Sequence, residues 1–254
     1  METFGMEHQK STEDKRIGTG IEGLDGLLQG GYPQGSVTLV AGTPGTGKTI
    51  VCFQYINSGI LYAEKCLFLT SDERIDTLIT QAQKFGFDFE KAVHNGQLKF
   101  MYLDLEKHSI HREMEEEIRN GNYSRIVLDS LTPLSEMPVW TVNRGSEIIP
   151  SEDTVLKNPV PLDSVQATRM HVRRILRILE EDASTALVTS EITEGSRHLS
   201  RDSVSEFLVD GILILDLDPS MDRRKLTVRK MRGTKHTLKP RDIEITNKGG
   251  IRIL

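Results

Sequence analysis

Eight consecutive residues, Gly42-Thr43-Pro44-Gly45-Thr46-Gly47-Lys48-Thr49, match the pattern GxxxxGK[ST] at every specified position. Residues of these types in this order bind phosphate. The glycines let backbone N–H groups turn inward without Cβ clashes, the lysine brings a positive charge, and the hydroxyl holds a divalent cation. The ligand expected of such a loop is a nucleoside triphosphate, ATP with Mg2+. Lys48 would reach the β- and γ-phosphates, Thr49 would hold the metal, and Ile50 is the next residue of the cradle. The motif needs a strand before it and a helix after it. Ser36 to Ala41 is a short β-rich apolar run, and Lys48 onward reads as a helix whose N-terminus favours anions.

A second chemical landmark lies downstream. Arg125-Ile-Val-Leu-Asp129-Ser130 is an apolar strand ending in aspartate, the arrangement that orients Mg2+ directly or through water behind a phosphate loop. An aspartate at a strand end also serves as a turn or helix cap, so its meaning depends on the loop. Two other apolar runs end in polar residues, Thr70 to Glu73 and Ser190 to Glu191. In a parallel sheet such ends lie together, so all three should converge on the triphosphate.

The elements that carry these groups alternate. Helical spacing is expected at residues 21–28, 48–62, 72–85, 112–120 and 165–181, and strands at 36–41, 66–70, 98–103, 125–130 and 186–191. Continuous apolar strands such as Cys66-Leu-Phe-Leu-Thr70 belong in a parallel sheet covered on both faces. The fold class is therefore α/β with a mainly parallel central sheet. From Gly211 the pattern shifts to closely spaced strands separated by turns, which predicts antiparallel hairpins extending the sheet. Residues 1–15 are polar and predict a disordered tail before one domain over 16–254. Residues 133–163, with five prolines, predict a long loop or lid.

Composition narrows the class. The 254 residues suffice for one large core, and a net charge of −5 neither demands nor forbids a nucleic-acid partner. Cys52 and Cys66 have no metal-ligand spacing and read as buried free thiols. No run approaches the ~18 apolar residues of a membrane span, and the polar start lacks the apolar core of a signal peptide, so a cytoplasmic location is expected.

Several segments, in order along nearly the whole chain, resemble the KaiC-like branch of the RecA/RadA ATPases. They are TGIEGLDGLLQGGYPQGS, GTPGTGKT, FLTSDER, RIVLDS, VTSE, EFLVDGILIL and KMRGTKH. The resemblance implies a single RecA-like P-loop core that assembles with itself into hexamers or other rings or filaments, with ATP between subunits. It also implies roles. Asp72 and Glu73 stand where the family has paired glutamates that polarise the attacking water. Asp72 is one methylene shorter, which implies slow hydrolysis and leaves Glu73 as a second candidate. The alternative is that the two carboxylates cap the following helix.

Lys230 and Arg232 correspond to basic residues that reach the neighbouring subunit's γ-phosphate, with Thr234 and His236 shaping the same loop and Ser190 contributing to the nucleotide site. A simply basic surface is the alternative, since residues 222–241 hold nine Lys or Arg against Asp222. The family's adjacent Ser and Thr for autophosphorylation have no clear counterpart, so autokinase activity is not expected. Two functions remain: an oligomeric ATPase switch acting on an unknown regulatory protein partner, or a RadA-paralogue-like accessory protein of recombination and repair that binds single-stranded DNA.

Overall fold

The structure, a computed structural model, describes residues 15–107, 109–137, 140–141, 160–161, 165–180 and 184–254. The expected tail at 1–15 lies outside these apart from Lys15. In chain order the elements are β1 (Arg16–Ile17), α1 (Leu24–Leu27), β2 (Tyr32–Pro33), β3 (Val37–Gly42), α2 (Lys48–Leu61), β4 (Cys66–Thr70), α3 (Ile75–Lys84), α4 (Phe89–His94) and β5 (Leu98–Tyr102). Then follow α5 (Ile110–Gly121), β6 (Arg125–Asp129), α6 (Leu131–Glu136), β7 (Trp140–Thr141), β8 (Val160–Pro161), α7 (Val165–Leu179) and β9 (Thr185–Glu191). The chain closes with α8 (Ser205–Leu208), β10 (Gly211–Asp218), β11 (Arg223–Met231), β12 (Arg241–Thr246) and β13 (Gly250–Ile253).

Nine strands form one sheet in the order β13-β12-β11-β10-β3-β9-β6-β4-β5. The six from β10 to β5 are parallel, and β11, β12 and β13 are added antiparallel at one edge. The mixed α/β architecture expected from the sequence, with its C-terminal hairpins, is what the chain adopts. Strand geometry explains the continuous apolar runs. Val40, Phe68, Val127 and Leu187 face one core beneath α2, whereas Leu39, Leu67, Ile126 and Val188, one position away, face a second core beneath α5, α6 and α7. Both faces are buried, so neither position of the two-residue period is left for a polar side chain.

Local boundaries differ from the sequence reading for identifiable reasons. The leader helix is one turn, because Gly23 before it and Gly30 and Gly31 after it have positive φ. A Cβ on Gly31 would lie 2.2 Å from the Ile17 carbonyl oxygen, so the leader folds back on itself as the β1–β2 ladder. The helix expected at 72–85 begins at Ile75, because Thr70 Oγ1 bonds the Glu73 backbone and holds 71–74 as a turn. Within 133–163, residues to Glu136 belong to α6 with Met137 as its C-cap, and β7 pairs with β8; the remainder of that expected loop lies outside the described residues.

The hairpin extension is fastened to the phosphate-loop helix by one buried amide. Gln54 of α2 donates from Nε2 to the Ile251 carbonyl at 2.8 Å and accepts from the Ile251 N–H at 2.8 Å. Among the described residues, no helix is long and apolar enough to cross a membrane.

Candidate nucleotide site

The loop between β3 and α2 has the conformation that its glycines permit. Gly45 and Gly47 have φ of 81° and 104°, and Gly47 is the N-cap of α2. Gly42 is required for a different reason: a Cβ there would lie 2.5 Å from the Leu215 carbonyl oxygen on the neighbouring strand. Thr46 Oγ1 donates to the Thr43 carbonyl at 2.8 Å and closes the loop internally. Pro44 and Gly45 are exposed at its tip. Lys48 Nζ donates to the carbonyls of Gly42 and Thr43 at 2.9 and 3.2 Å, so the ammonium is already folded over the loop. Burial lowers its pKa, opposed chiefly by the carboxylates of Glu191 and Asp129. Ile50 is half-buried and packs against the core near Gly47.

Strand register brings the other groups here. Thr70 pairs with Asp129 across β4 and β6, and Ala41 and Gly42 pair with Ser190 and Glu191 across β3 and β9. Asp129 accepts from Thr49 Oγ1 at 2.8 Å and from Thr189 Oγ1 on its other oxygen. Burial raises the pKa of this carboxyl, the hydroxyl bonds from Thr189 and Thr49 oppose that shift, and nearby Asp72 adds to it. A carboxylate and a threonine hydroxyl are hard oxygen donors suited to Mg2+, which would relieve the charge that burial disfavours. The donor set fits the metal expected from the sequence.

The two acidic residues after β4 point in different directions. Asp72 Oδ2 accepts from Ser130 Oγ at 2.7 Å, which turns this exposed carboxylate towards Asp129. Glu73 Oε2 instead accepts from Gln81 Nε2 at 2.7 Å along α3. Neither carboxylate caps α3, whose N-cap residue is Arg74 and which receives no side-chain cap. Ser190 is buried, and its hydroxyl accepts from the Arg201 N–H at 3.1 Å, so it braces the following loop.

Lys230, Arg232 and His236 lie elsewhere. Met231 pairs with Gly211, which pairs with Thr38 near the start of β3, whereas the phosphate loop begins at Gly42, the strand's far end. Four residues of strand separate these levels by about 13 Å. Lys230 Nζ donates to the Val209 carbonyl at 2.6 Å, and Arg232 pairs with Asp210 at 2.8 Å. Both basic residues therefore gather at the α8–β10 junction. The loop beyond them is braced by the leader: Arg16 donates to Thr234 Oγ1 at 2.6 Å, and Gln29 accepts from the Lys235 N–H at 3.2 Å. His236 Nδ1 is buried with no partner among the described residues.

The sequence reading placed Ser130 at a converging strand end without a role and passed over Thr189; their hydroxyls hold Asp72 and Asp129. Their positions next to, and one before, polar strand ends were the available signal. It also missed Arg224, whose guanidinium approaches the Gly45 carbonyl at 3.5 Å from the top of β11.

A parallel sheet with a phosphate loop after one strand, an aspartate ending another and an antiparallel C-terminal extension defines a RecA-like P-loop fold. The KaiC ATPase family matches residues 17–144 and 153–254, and the chain belongs to that family. A UPF0273 protein of Methanocaldococcus jannaschii is 34% identical over 243 residues, covering 92% of this chain and 95% of that protein. The circadian clock oscillator protein KaiC of a Picosynechococcus species is 31% identical over 238 residues, and this chain spans 44% of that protein's length. The crystal structure of a KaiC-like protein from Pyrococcus horikoshii superposes with a TM-score of 0.76 at 29% identity, covering 94% of this chain and 99% of that one. The KaiC-like resemblance stated from the sequence is correct.

Proposed function

We propose that this protein is a slow Mg2+-dependent ATPase of the KaiC type that works as a homo-oligomer, with each nucleotide shared between two subunits. The observation that carries this reading is the separation of its charged groups. Lys48, Thr49, Asp129 and Asp72 gather at one end of the sheet, while Lys230 and Arg232 sit at the level of Gly211, the opposite end of the same strands. Basic residues of this kind stabilise phosphoryl transfer by meeting charge on the equatorial oxygens, and these cannot do so for their own loop. They suit the loop of a second copy.

On this reading the loop amides and Lys48 bind the phosphates, and Thr49 and Asp129 hold Mg2+, which supplies charge neutralisation. Asp72 orients the attacking water, with Glu73 held aside by Gln81. The short Asp72 side chain leaves more distance to bridge than a glutamate would, which favours slow turnover and a switching role on a protein partner in the cytoplasm. A ring of six is the assembly we favour.

The test is steady-state ATP hydrolysis with Mg2+ across a protein dilution series. Specific activity should rise with concentration, and Lys230→Ala with Arg232→Ala should abolish turnover while nucleotide binding persists. Lys48→Ala should weaken binding itself. Concentration-independent turnover that survives loss of both basic residues would refute the shared site.

A further inference from the structure

Strand β9 ends in a carboxylate on the nucleotide side of the sheet. Residues two apart on a strand share a face, so Glu191 lies on the side of Leu187, which packs in the core beneath α2, and of Thr189, whose hydroxyl bonds Asp129. Across the sheet it pairs with Gly42, the first residue of the loop. The backbone here is pinned twice. The Glu191 N–H donates to Thr132 Oγ1 of α6 at 3.0 Å, and the Ile192 N–H donates at 3.2 Å to the Gly42 carbonyl, the oxygen that also accepts from Lys48. The Glu191 side chain is exposed and makes no ion pair among the described residues.

Two cations feel this carboxylate. Burial pushes the Lys48 ammonium towards its neutral form, and Glu191 is foremost among the carboxylates that oppose this. The second cation is Arg201, held charged first by Glu136 and also by Glu191. Arg201 ties the loop after β9 to α6. Its backbone N–H donates to Ser190 Oγ at 3.1 Å, and its guanidinium donates to Thr193 Oγ1 and to Glu136 Oε1, each at 2.8 Å. A triphosphate carries one more phosphoryl group than a diphosphate, and that added charge competes with Glu191 for Lys48. With the backbone pinned, the side chain is the part that can respond. We propose that Glu191 reads the γ-phosphate: it shares Lys48 while the loop holds a diphosphate and turns to Arg201 when the loop holds a triphosphate, drawing Arg201 from Glu136 and passing the nucleotide state to α6. This rests on the reading that the loop binds ATP, and it adds regulation to that site. A ligand shifts an equilibrium only through contacts that differ between the two states, and here they are Glu191 with Lys48 in one and with Arg201 in the other. Helix α6 and residues 192–201 then differ between the two nucleotide states.

The experiment compares the affinities of full-length protein for ADP and for the non-hydrolysable β,γ-imido analogue of ATP, both with Mg2+, by competition against a fluorescent nucleotide. Glu191 and Arg201 are both exposed, so substitutions there keep the fold. Glu191→Gln removes the repulsion and should raise the preference for the triphosphate by about fivefold or more, the lower end of coupling between sites. Arg201→Met removes the carboxylate's alternative partner and should lower that preference, yet it should have no effect in a chain that already carries Glu191→Gln. Amide hydrogen exchange over residues 131–136 and 192–201 should differ between the two nucleotides in the parent and not in Glu191→Gln. A preference left unchanged or lowered by Glu191→Gln would overturn the proposal. So would an Arg201→Met effect that persists without the carboxylate, or exchange that still distinguishes the nucleotides in Glu191→Gln. In each of those cases binding of both nucleotides by the parent leaves the phosphate-loop reading standing. A parent that binds neither nucleotide sinks both.

Discussion

Ser130 offers a way to test whether the direction of Asp72 matters. Its hydroxyl donates to Asp72 Oδ2 at 2.7 Å, and the next hydroxyl, Ser71 Oγ, is 3.5 Å from the other oxygen, too far to replace it. Ser130 is the N-cap residue of α6 but its side chain makes no cap bond, so Ser130→Ala removes the aim of Asp72 without uncapping a helix. A hydroxyl bond to a carboxylate contributes about 1.5–3 kcal/mol, and water reaching the exposed Asp72 offsets part of that. About 1.4 kcal/mol of lost orientation corresponds to a fall of roughly tenfold in kcat. Asp72→Ala should cost more, on the order of 10²- to 10⁴-fold, as expected for removal of a group that manages the attacking water. Nucleotide affinity should hold in both, since Lys48 and Thr49 have other partners. The assay is Mg2+-ATP hydrolysis at saturating nucleotide, with a fluorescent-nucleotide titration alongside, and Ser130→Thr as the variant that keeps the hydroxyl. An unchanged kcat in Ser130→Ala, beside an inactive Asp72→Ala, would refute the idea that Ser130 aims the carboxylate. A rise in KM with kcat constant would refute it equally.

Gly59→Ala should destabilise the fold by about 1–3 kcal/mol in urea titration despite its better helix propensity, because its Cβ would lie 2.6 Å from Arg125 Cδ and 2.7 Å from Cys66 Sγ. Glu64→Ala should cost about 3 kcal/mol or more: Arg125 is 1% exposed and would keep only the Gly18 and Tyr55 carbonyls as acceptors. Stability within 0.5 kcal/mol of the parent, on the order of a surface substitution, would contradict either account. His111 is buried against His171 with neither ring nitrogen hydrogen-bonded among the described residues, and burial, with His171 and Arg174 nearby, pushes its pKa down to about 3. Its folded pKa lies below the unfolded value, so its contribution is complete above about pH 6.5 and is lost as pH falls towards 3. The parent should lose about 1.5 kcal/mol between pH 6.5 and 5 from this group, and His111→Leu should flatten that slope in urea midpoints measured against pH. An identical slope in the variant would place the acid sensitivity elsewhere.

Much of the nucleotide end was legible because its groups are written locally. The loop occupies eight consecutive residues, and each strand-end polar group follows an apolar run that only a buried parallel strand explains. What was not legible depends on pairs far apart in sequence. The split roles of Asp72 and Glu73 come from Ser130, 58 positions away, and from Gln81 one helix face along. Helices α4, α6 and α8 are four to six residues long, too short for a 3.6-residue period to declare itself. The start of α3 was misread because Asp72 and Glu73 suit a first helical turn, while the competing Thr70 hydroxyl bond to Glu73 carries no periodic signal.

The antiparallel extension and the glycine-rich leader lie outside the phosphate loop itself, and they fix where the far-end charges sit. Arg16 reaches across 218 positions to Thr234, and Gln54 reaches across 197 to Ile251. The first bond braces the loop that follows Arg232, and the second ties β13 to the helix that begins at Lys48. These two bonds fasten the leader and the extension to the domain that carries the phosphate loop. Under the proposed shared site, the span between a subunit's own nucleotide and the charges it offers its neighbour must be constant for the contact to repeat. Loosening either tie should therefore leave nucleotide binding intact and weaken assembly, the opposite pattern from a Lys48 substitution.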